Sequence, residues 1–202
     1  MEPPEAQLVR ASFASGAEGV DVLLDALNSP DPRLRVLALR GLVRRGAMSE
    51  ERWREALRDG DVDVRRDALE QLAHAASPAV VVYEDVVALL EDDDDLVVDA
   101  AAFALGEHLV ASAVVALGRV ATEHADARCR ESAIAALGAI GDDRSRPIIV
   151  AALDDKPAIR RRAIVALANF EGPDIEAALE RASEDRDWQV RSAVAQLRDD
   201  ED

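Results

Sequence analysis

A short pattern recurs six times along the 202-residue chain, and this recurrence limits the possible folds more than any other feature. Each copy starts at a polar residue and has an apolar residue three positions later, which we call the anchor. The anchors are Leu34, Val64, Val97, Cys129, Ile159 and Val190. They are separated by 30, 33, 32, 30 and 31 residues. Such a period is typical of proteins built from small stacked repeats.

The spacing within each copy predicts a helix. In the first five copies an alanine lies four residues after the anchor and a leucine lies eight residues after it, which places all three on one helix face. The alanines are Ala38, Ala68, Ala101, Ala133 and Ala163, and the leucines are Leu42, Leu72, Leu105, Leu137 and Leu167. Since alanine is small, we expect the neighbouring helix to approach closely.

Polar residues mark where each helix begins and how repeats are joined. Five copies start with an aspartate, the residue type that caps a helix N-terminus: Asp31, Asp61, Asp94, Asp126 and Asp187. An arginine directly follows the anchor in five copies: Arg35, Arg65, Arg130, Arg160 and Arg191. We predict that these arginines reach aspartates of adjacent turns and connect one repeat to the next.

A second amphipathic segment precedes each copy. Pro78, Pro147 and Pro173 lie at or near the start of three of these segments, where proline costs little. The unit is therefore a helix, a short acidic turn and a second helix. One such unit cannot bury its apolar face alone, so the units are expected to stack into a solenoid.

The segments DPRLRVLALRGL and DARCRESAIAALGAIG carry this pattern most clearly, and they resemble the HEAT-like repeats of the phycobilisome-lyase type. The resemblance implies an all-α solenoid of six two-helix repeats whose second helices line a concave surface. We predict an N-terminal cap segment over 1–16 and one repeat domain over 17–202. Its repeats are expected at about 20–46, 48–76, 78–109, 111–141, 143–170 and 173–198.

Three positions depart from the repeat pattern. Val98 stands where the other copies have arginine, and Lys156 stands where they have aspartate. In the sixth copy Leu197 lies seven rather than eight residues after Val190, which suits a terminal capping repeat.

The charge of the chain limits its partners. A formal net charge of −17 argues against nucleic-acid phosphates and anionic membranes. It suggests a halophilic protein from a salt-rich cytoplasm, although an ordinary acidic protein of a GC-rich genome is the alternative. The N-terminal segment lacks the pattern of a signal peptide, and no uncharged apolar stretch approaches the ~20 residues of a membrane span. We expect a soluble, cytoplasmic monomer.

No residues form a recognisable catalytic or metal-binding motif. The chain resembles deoxyhypusine hydroxylase in its repeats, but that family's di-iron site needs several His–Glu pairs. Here Glu107-His108 and Glu123-His124 run in the opposite order, and the remaining histidine is His74. These histidines are interpreted as surface or helix-end residues. The acidic run EDDDD at 91–95 is interpreted as a solvated turn, because it lacks the alternating ligands and glycine of a calcium loop.

The remaining conspicuous side chains are assigned to packing. Cys129 is the only cysteine, so an intrachain disulfide and a cysteine-based zinc cluster are excluded, and we expect it in the core. Trp53 is expected in the core as well. For Trp188 we prefer packing near the C-terminal end over an exposed contact residue. We predict no catalytic residue, no metal and no cofactor.

The chain is predicted to be a non-catalytic scaffold or adaptor that binds another protein or peptide on its concave face. HEAT-like DNA glycosylases would need a basic groove, which the charge argues against. Bilin attachment stays open, and the alternative function is a chromophore-lyase-like or protein-modifying enzyme or accessory.

Two rows of residues are predicted to face the concave groove, two and six positions after the anchors. The first row reads Val36, Arg66, Asp99, Glu131, Arg161 and Ser192, and the second reads Arg40, Glu70, Phe103, Ala135, Val165 and Gln196. Family repeats often carry a polar residue in the second row, whereas its three middle members here are apolar. We predict that Phe103, Ala135 and Val165 form a docking strip flanked by Arg66, Arg161, Asp99 and Glu131. The alternative is that a tight superhelix buries this row as ordinary core.

Overall fold

The structure is a computed structural model, and it describes residues 3–14, 16–75 and 82–199. Every regular element in these ranges is helical, which confirms the all-α prediction. The α-helices are α1 (Pro4–Phe13), α2 (Glu18–Ala26), α3 (Pro32–Arg44), α4 (Glu50–Leu57), α5 (Val62–Ala73), α6 (Tyr83–Ala88), α7 (Asp95–Glu107), α8 (Val114–Glu123), α9 (Ala127–Ile140), α10 (Arg146–Ala151), α11 (Pro157–Leu167), α12 (Pro173–Ser183) and α13 (Trp188–Asp199). Short 3₁₀ turns cover Leu89–Glu91, Ala111–Ala113, Asp143–Ser145 and Ala152–Asp154.

The helices divide between two compact units, Met1–Leu89 and Leu90–Asp202, which we call the N-terminal and C-terminal units. In the N-terminal unit α3 packs against α1, α2 and α5. In the C-terminal unit α9 packs against α7, α8 and α11, and α13 packs against α11 and α12. Helix α1 lies within the segment expected to act as a cap. The repeat boundaries and the single repeat domain stay predictions.

The second helices begin at the predicted aspartates. In all five cases a carboxylate oxygen accepts a hydrogen bond of 2.7–3.0 Å from the backbone N–H two residues later. This bond satisfies an N–H group that has no partner within the helix. At α11 the cap residue Lys156 makes no such bond, and the carboxylate of Asp155 accepts the Lys156 N–H instead. Asp155 is the turn aspartate that pairs with Arg130, so this copy has no separate capping aspartate.

The repeat pattern places its apolar residues in the core. All five alanines and all five leucines that follow the anchors are at most 1% exposed, and five of the six anchors are at most 2% exposed. In the C-terminal unit close packing also depends on glycine. A Cβ atom added to Gly106 or Gly138 would lie 2.9 Å or 2.7 Å from the Cα atom of an alanine on the next second helix. The consecutive second helices are therefore in near-backbone contact at these points.

Three of the five arginines after the anchors join successive helix pairs as predicted, and Arg65 and Arg191 donate to a backbone carbonyl of their own turn. Two nitrogen atoms of each guanidinium bond both oxygens of one aspartate at 2.7–2.9 Å in three pairs: Arg35–Asp59, Arg130–Asp155 and Arg160–Asp185. In each case the aspartate lies in the turn of the following repeat. The same arginines donate to a backbone carbonyl of their own turn. Each arginine thus fixes two turns at once.

Several smaller expectations can be compared with the structure. Trp53 is 7% exposed, which confirms it as a core residue. Pro147 and Pro173 lie in the first turns of α10 and α12, as predicted, whereas Pro78 lies outside the described residues. Trp188 is 66% exposed, so the expectation that it packs was wrong. Across 3–14, 16–75 and 82–199, length and hydropathy rule out every helix as a bilayer span.

Candidate functional site

The candidate site lies on the C-terminal unit, where the register of α9 separates a buried face from an exposed one. The N-cap at Asp126 fixes where the helix begins. Cys129, Ala133 and Leu137 then point into the core and are fully buried. Positions two and six after the anchor fall on the other side, where Glu131 and Ala135 are half-buried. We call the corresponding exposed face of α7, α9, α11 and α13 the second-helix surface.

The first groove in this surface lies between α7 and α9 and has a volume of about 410 Å³. Phe103 on α7 and Ala135 on α9 line it together, as the sequence predicted for neighbours in one row. Asp99 and Glu131 also line this groove, and the Ser132 hydroxyl makes a short hydrogen bond to the Asp99 carboxylate. We call this the α7–α9 groove. Its lining combines apolar side chains with carboxylates.

The second groove lies between α11 and α13 and has a volume of about 360 Å³. Val165 and Trp188 provide its exposed apolar surface. Arg161 lines the same groove and donates a hydrogen bond of 2.7 Å to the Gln189 side-chain oxygen. Glu131 lines this groove as well as the first one. We call it the α11–α13 groove.

The structure brings together most, but not all, of the predicted site residues. Phe103 is 45% exposed and Val165 is 54% exposed, so neither is ordinary core between repeats. The two residues line different grooves rather than one continuous strip. Arg66 belongs to the N-terminal unit, where its side chain pairs with Asp63 and Glu70 of its own helix. Its role as a flanking residue stays a prediction.

Sequence reasoning missed Trp188 as a member of the site, although the repeat register contains a signal for it. Trp188 is the first residue of α13 and lies two positions before its anchor. The other copies carry Pro32, Val62, Asp95, Ala127 and Pro157 at this position, and none of them is buried. The register therefore indicates that the first residue of a second helix lies outside the core.

One cluster of metal-type ligands occurs on the C-terminal unit. The candidate ligand atoms of Asp95, His124 and Cys129 lie within 4.8 Å of one another. His124 Nδ1 accepts a hydrogen bond from the Asp126 N–H, which places the imidazole proton on Nε2. Cys129 Sγ donates to the Asp95 carbonyl, and burial raises the pKa of this thiol to about 12. Both the imidazole and the thiol therefore hold protons that a metal ion would have to displace.

His124 has a structural role that explains its position in this cluster. In the corresponding turns of other copies, an aspartate carboxylate accepts the backbone N–H two residues later, as Asp59 and Asp185 do. His124 Nδ1 accepts the same bond in its own turn. His124 therefore takes the place of the turn aspartate. The arginine that would pair with this aspartate belongs to the preceding copy, where Val98 replaces it. His74 and His108 follow directly after α5 and α7, so all three histidines are helix-end residues as predicted.

Solved structures with a similar fold include several repeat proteins. The complex of CpcE and CpcF of phycocyanin lyase from Nostoc sp. PCC7120 matches with a TM-score of 0.65 and 21% identity, over 87% of this chain and 74% of that chain. A designed armadillo repeat protein in complex with the peptide (KR)4 has a TM-score of 0.65 and 19% identity, over 88% of this chain and 97% of that chain. An engineered protein has a TM-score of 0.69 and 21% identity, over 88% and 96%. At these identities the similarity establishes the fold alone.

Comparison with protein families gives the classification. No curated protein is significantly similar to the chain in sequence. The family model described as HEAT repeats matches residues 20–106 and 83–168, which together cover well over half of the chain. These matches include the second helices of the first five copies and the Arg35–Asp59 and Arg130–Asp155 pairs. The chain therefore belongs to the HEAT-repeat family, and its fold is an α-solenoid of repeated helix pairs.

Proposed function

We propose that the protein is a non-catalytic scaffold that binds another protein through the second-helix surface of its C-terminal unit. Phe103, Ala135 and Val165 are its apolar contacts, and Asp99 and Glu131 flank them. Arg161 flanks the strip at α11. In this proposal the surface is concave and the partner supplies an extended or helical segment.

The exposure of Phe103 is the observation that carries this proposal. The same position of the repeat holds Arg40, Glu70 and Gln196 in other copies, which are the polar residues expected on a solvated face. At such a position, an aromatic side chain that is 45% exposed leaves apolar surface in contact with water. A partner that covers the side chain removes this unfavourable contact. Aromatic residues in this setting are frequent contributors to binding energy.

Two of the structural neighbours support a binding role. One is a designed armadillo repeat protein whose structure contains a bound peptide, and another is a complex of two lyase proteins. We extend protein binding from those molecules to this chain as part of the proposal. A cytoplasmic location, a salt-rich environment, a monomeric state and the absence of nucleic-acid or membrane partners belong to the same proposal.

The experiment compares two substitutions of exposed apolar residues on the C-terminal unit. Phe103→Asp changes the second-helix surface, whereas Val115→Asp changes the first-helix side at a residue that is 65% exposed. Each protein is immobilised and exposed to an extract of the organism that carries the gene, and retained proteins are identified by mass spectrometry. We expect a partner retained by the parent and by Val115→Asp but lost from Phe103→Asp, with similar melting temperatures for all three.

Three results would contradict the proposal. Phe103→Asp could retain the same proteins as the parent, or the parent could retain nothing beyond the bare matrix. Unfolding of Phe103→Asp would show that the ring has a structural role instead. A melting curve of each variant therefore accompanies the capture.

A further inference from the structure

Charge is distributed unevenly over the second helices of the C-terminal unit. Helix α7 carries Asp95, Asp99 and Glu107 and no basic residue. Helix α11 has the sequence PAIRRRAIVAL, with three arginines and no acidic residue. A chain with a net charge of −17 thus presents a locally basic helix next to the α11–α13 groove.

The three arginines of α11 differ in how far their charges are neutralised. Arg160 pairs with Asp185 and its side chain is only 6% exposed, so it serves the fold. Arg162 approaches a carboxylate of Glu131 at 3.5 Å. Arg161 bonds the neutral amide of Gln189, and within the described residues no carboxylate lies at ion-pair distance from it. Arg161 therefore keeps a positive charge at the groove.

Exposed apolar surface lies beside this charge. Trp188 is 66% exposed and Val165 is 54% exposed, and both line the α11–α13 groove with Arg161. The remaining lining includes Glu131, whose carboxylate lies 3.5 Å from the Arg162 guanidinium, and the neutral polar side chains of Ser192 and Gln196. A guanidinium next to an indole ring and a branched aliphatic side chain is complementary to a carboxylate next to a large apolar side chain.

Building on the proposed function, we propose that the α11–α13 groove selects a protein segment in which a large apolar residue lies next to an aspartate or glutamate. Trp188 and Val165 contact the apolar side chain, and Arg161 pairs with the carboxylate. The segment carries few negative charges, because the net charge of the chain repels a polyanion at longer range. For the same reason the occupant is a protein segment and not a nucleic acid.

The test uses two synthetic ten-residue peptides with a neutral fluorescent label. One contains leucine and glycine with a single glutamate next to a leucine, and the other has lysine in place of that glutamate. Fluorescence anisotropy measures the Kd of each peptide for the full-length protein at 0.15 M salt. We expect the glutamate peptide to bind at least about tenfold more tightly than the lysine peptide.

Variants assign the preference to individual side chains. Arg161→Glu should reverse the order of the two affinities, and Trp188→Ala should raise the Kd of the glutamate peptide by about tenfold or more. Arg181→Glu is the matched control, because it changes the net charge equally at an exposed residue of α12 that does not line the groove. It should leave the affinity for the glutamate peptide within about twofold.

Four results would overturn the inference. The lysine peptide could bind the parent more tightly, neither peptide could bind, or Arg161→Glu and Arg181→Glu could weaken the glutamate peptide equally. A short single-stranded oligonucleotide that competes with the glutamate peptide would reassign the groove to nucleic acid. None of these results decides the proposed function, which is judged by whether Phe103→Asp loses a partner that Val115→Asp retains.

Discussion

At the residue scale, Leu109 adopts a backbone conformation that glycine occupies in other copies of the repeat. Its φ is 52°, compared with 63° at Gly46 and 67° at Gly141. All three residues lie twelve positions after their anchors and within two residues of the end of a second helix. A left-handed conformation costs a residue with a Cβ atom roughly 1–2 kcal/mol. The third copy therefore keeps the left-handed backbone conformation that glycine favours, although its residue at this position is leucine.

We predict that Leu109→Gly stabilises the protein by about 1 kcal/mol. The leucine side chain is 59% exposed, so its removal loses little buried surface. The greater freedom of glycine in the unfolded chain offsets part of the gain. The free energy of unfolding in urea measures the effect. The reciprocal control, Gly141→Ala, should destabilise by about 1 kcal/mol, because its new Cβ would have no neighbour within 4 Å and only the backbone is strained. A destabilised Leu109→Gly would contradict this account.

Two substitutions in α9 test how tightly its buried face is packed. Leu137 and Ala133 are both fully buried. Leu137→Ala should destabilise by about 2–5 kcal/mol, since it leaves a cavity. Ala133→Leu should destabilise by about 1–3 kcal/mol, since the added atoms have no space. Thermal melting measures both variants. If both melted like the parent, the register that assigns these residues to the core would be incorrect.

At the scale of helices and turns, the paired arginines determine how one repeat is attached to the next. The side chains of Arg160 and Asp185 are 6% and 15% exposed, and their two hydrogen bonds are 2.8 Å long. The bond from Arg160 lowers the pKa of the Asp185 carboxyl below its ordinary value of 3.8. Arg130 lowers the pKa of Asp155 in the same way. Folding therefore favours the ionised carboxylates.

A double-mutant cycle of Arg160→Met and Asp185→Asn should give a coupling energy of about 1–3 kcal/mol at pH 7. Because folding lowers the pKa of Asp185, this coupling is present above pH 3.8 and is lost as the pH falls through the lower folded-state value. Urea unfolding at pH 7 and at the lowest pH where the protein folds measures the change. A coupling near zero at pH 7, or one that grows in acid, would refute the structural role of the pair.

The repeat pattern predicted most of the fold because its information is local. The capping aspartates, the buried alanines and leucines, and the arginine pairs follow from spacing within one period. The pattern did not show that Val98 and His124 occupy the two positions that form an arginine–aspartate pair elsewhere, because these positions belong to adjacent copies. It also did not reveal the conformation of Leu109, since a leucine carries no signal for positive φ.

The candidate site was predicted only in part. The register placed Phe103, Ala135 and Val165 on an exposed face, because residues six after an anchor lie away from the core. It could not show that two separate grooves divide them, since this depends on side-chain packing between neighbouring helices. Trp188 was assigned to packing from its size and its closeness to the C-terminal end. Its position as the first residue of α13 leaves it exposed instead.

At the scale of the whole molecule, the net charge of −17 is the dominant electrostatic property. Like charges on a compact chain repel each other, and dissolved salt screens this repulsion. We predict that the melting temperature rises markedly from low salt to molar KCl. A melting temperature that does not change over this range would eliminate the proposed salt-rich environment and leave the fold unaffected.

The central claim is that a partner protein covers the second-helix surface, and oxidative footprinting tests it most directly. The protein is oxidised by hydroxyl radicals with and without the partner recovered by capture, and modified residues are quantified by mass spectrometry. Phe103 and Trp188 are exposed in the free chain, as are Val115 and Phe13 elsewhere. We predict that the partner protects Phe103 and Trp188 and leaves Val115 and Phe13 as reactive as before. Protection of Val115 or Phe13, with Phe103 and Trp188 unchanged, would contradict the account.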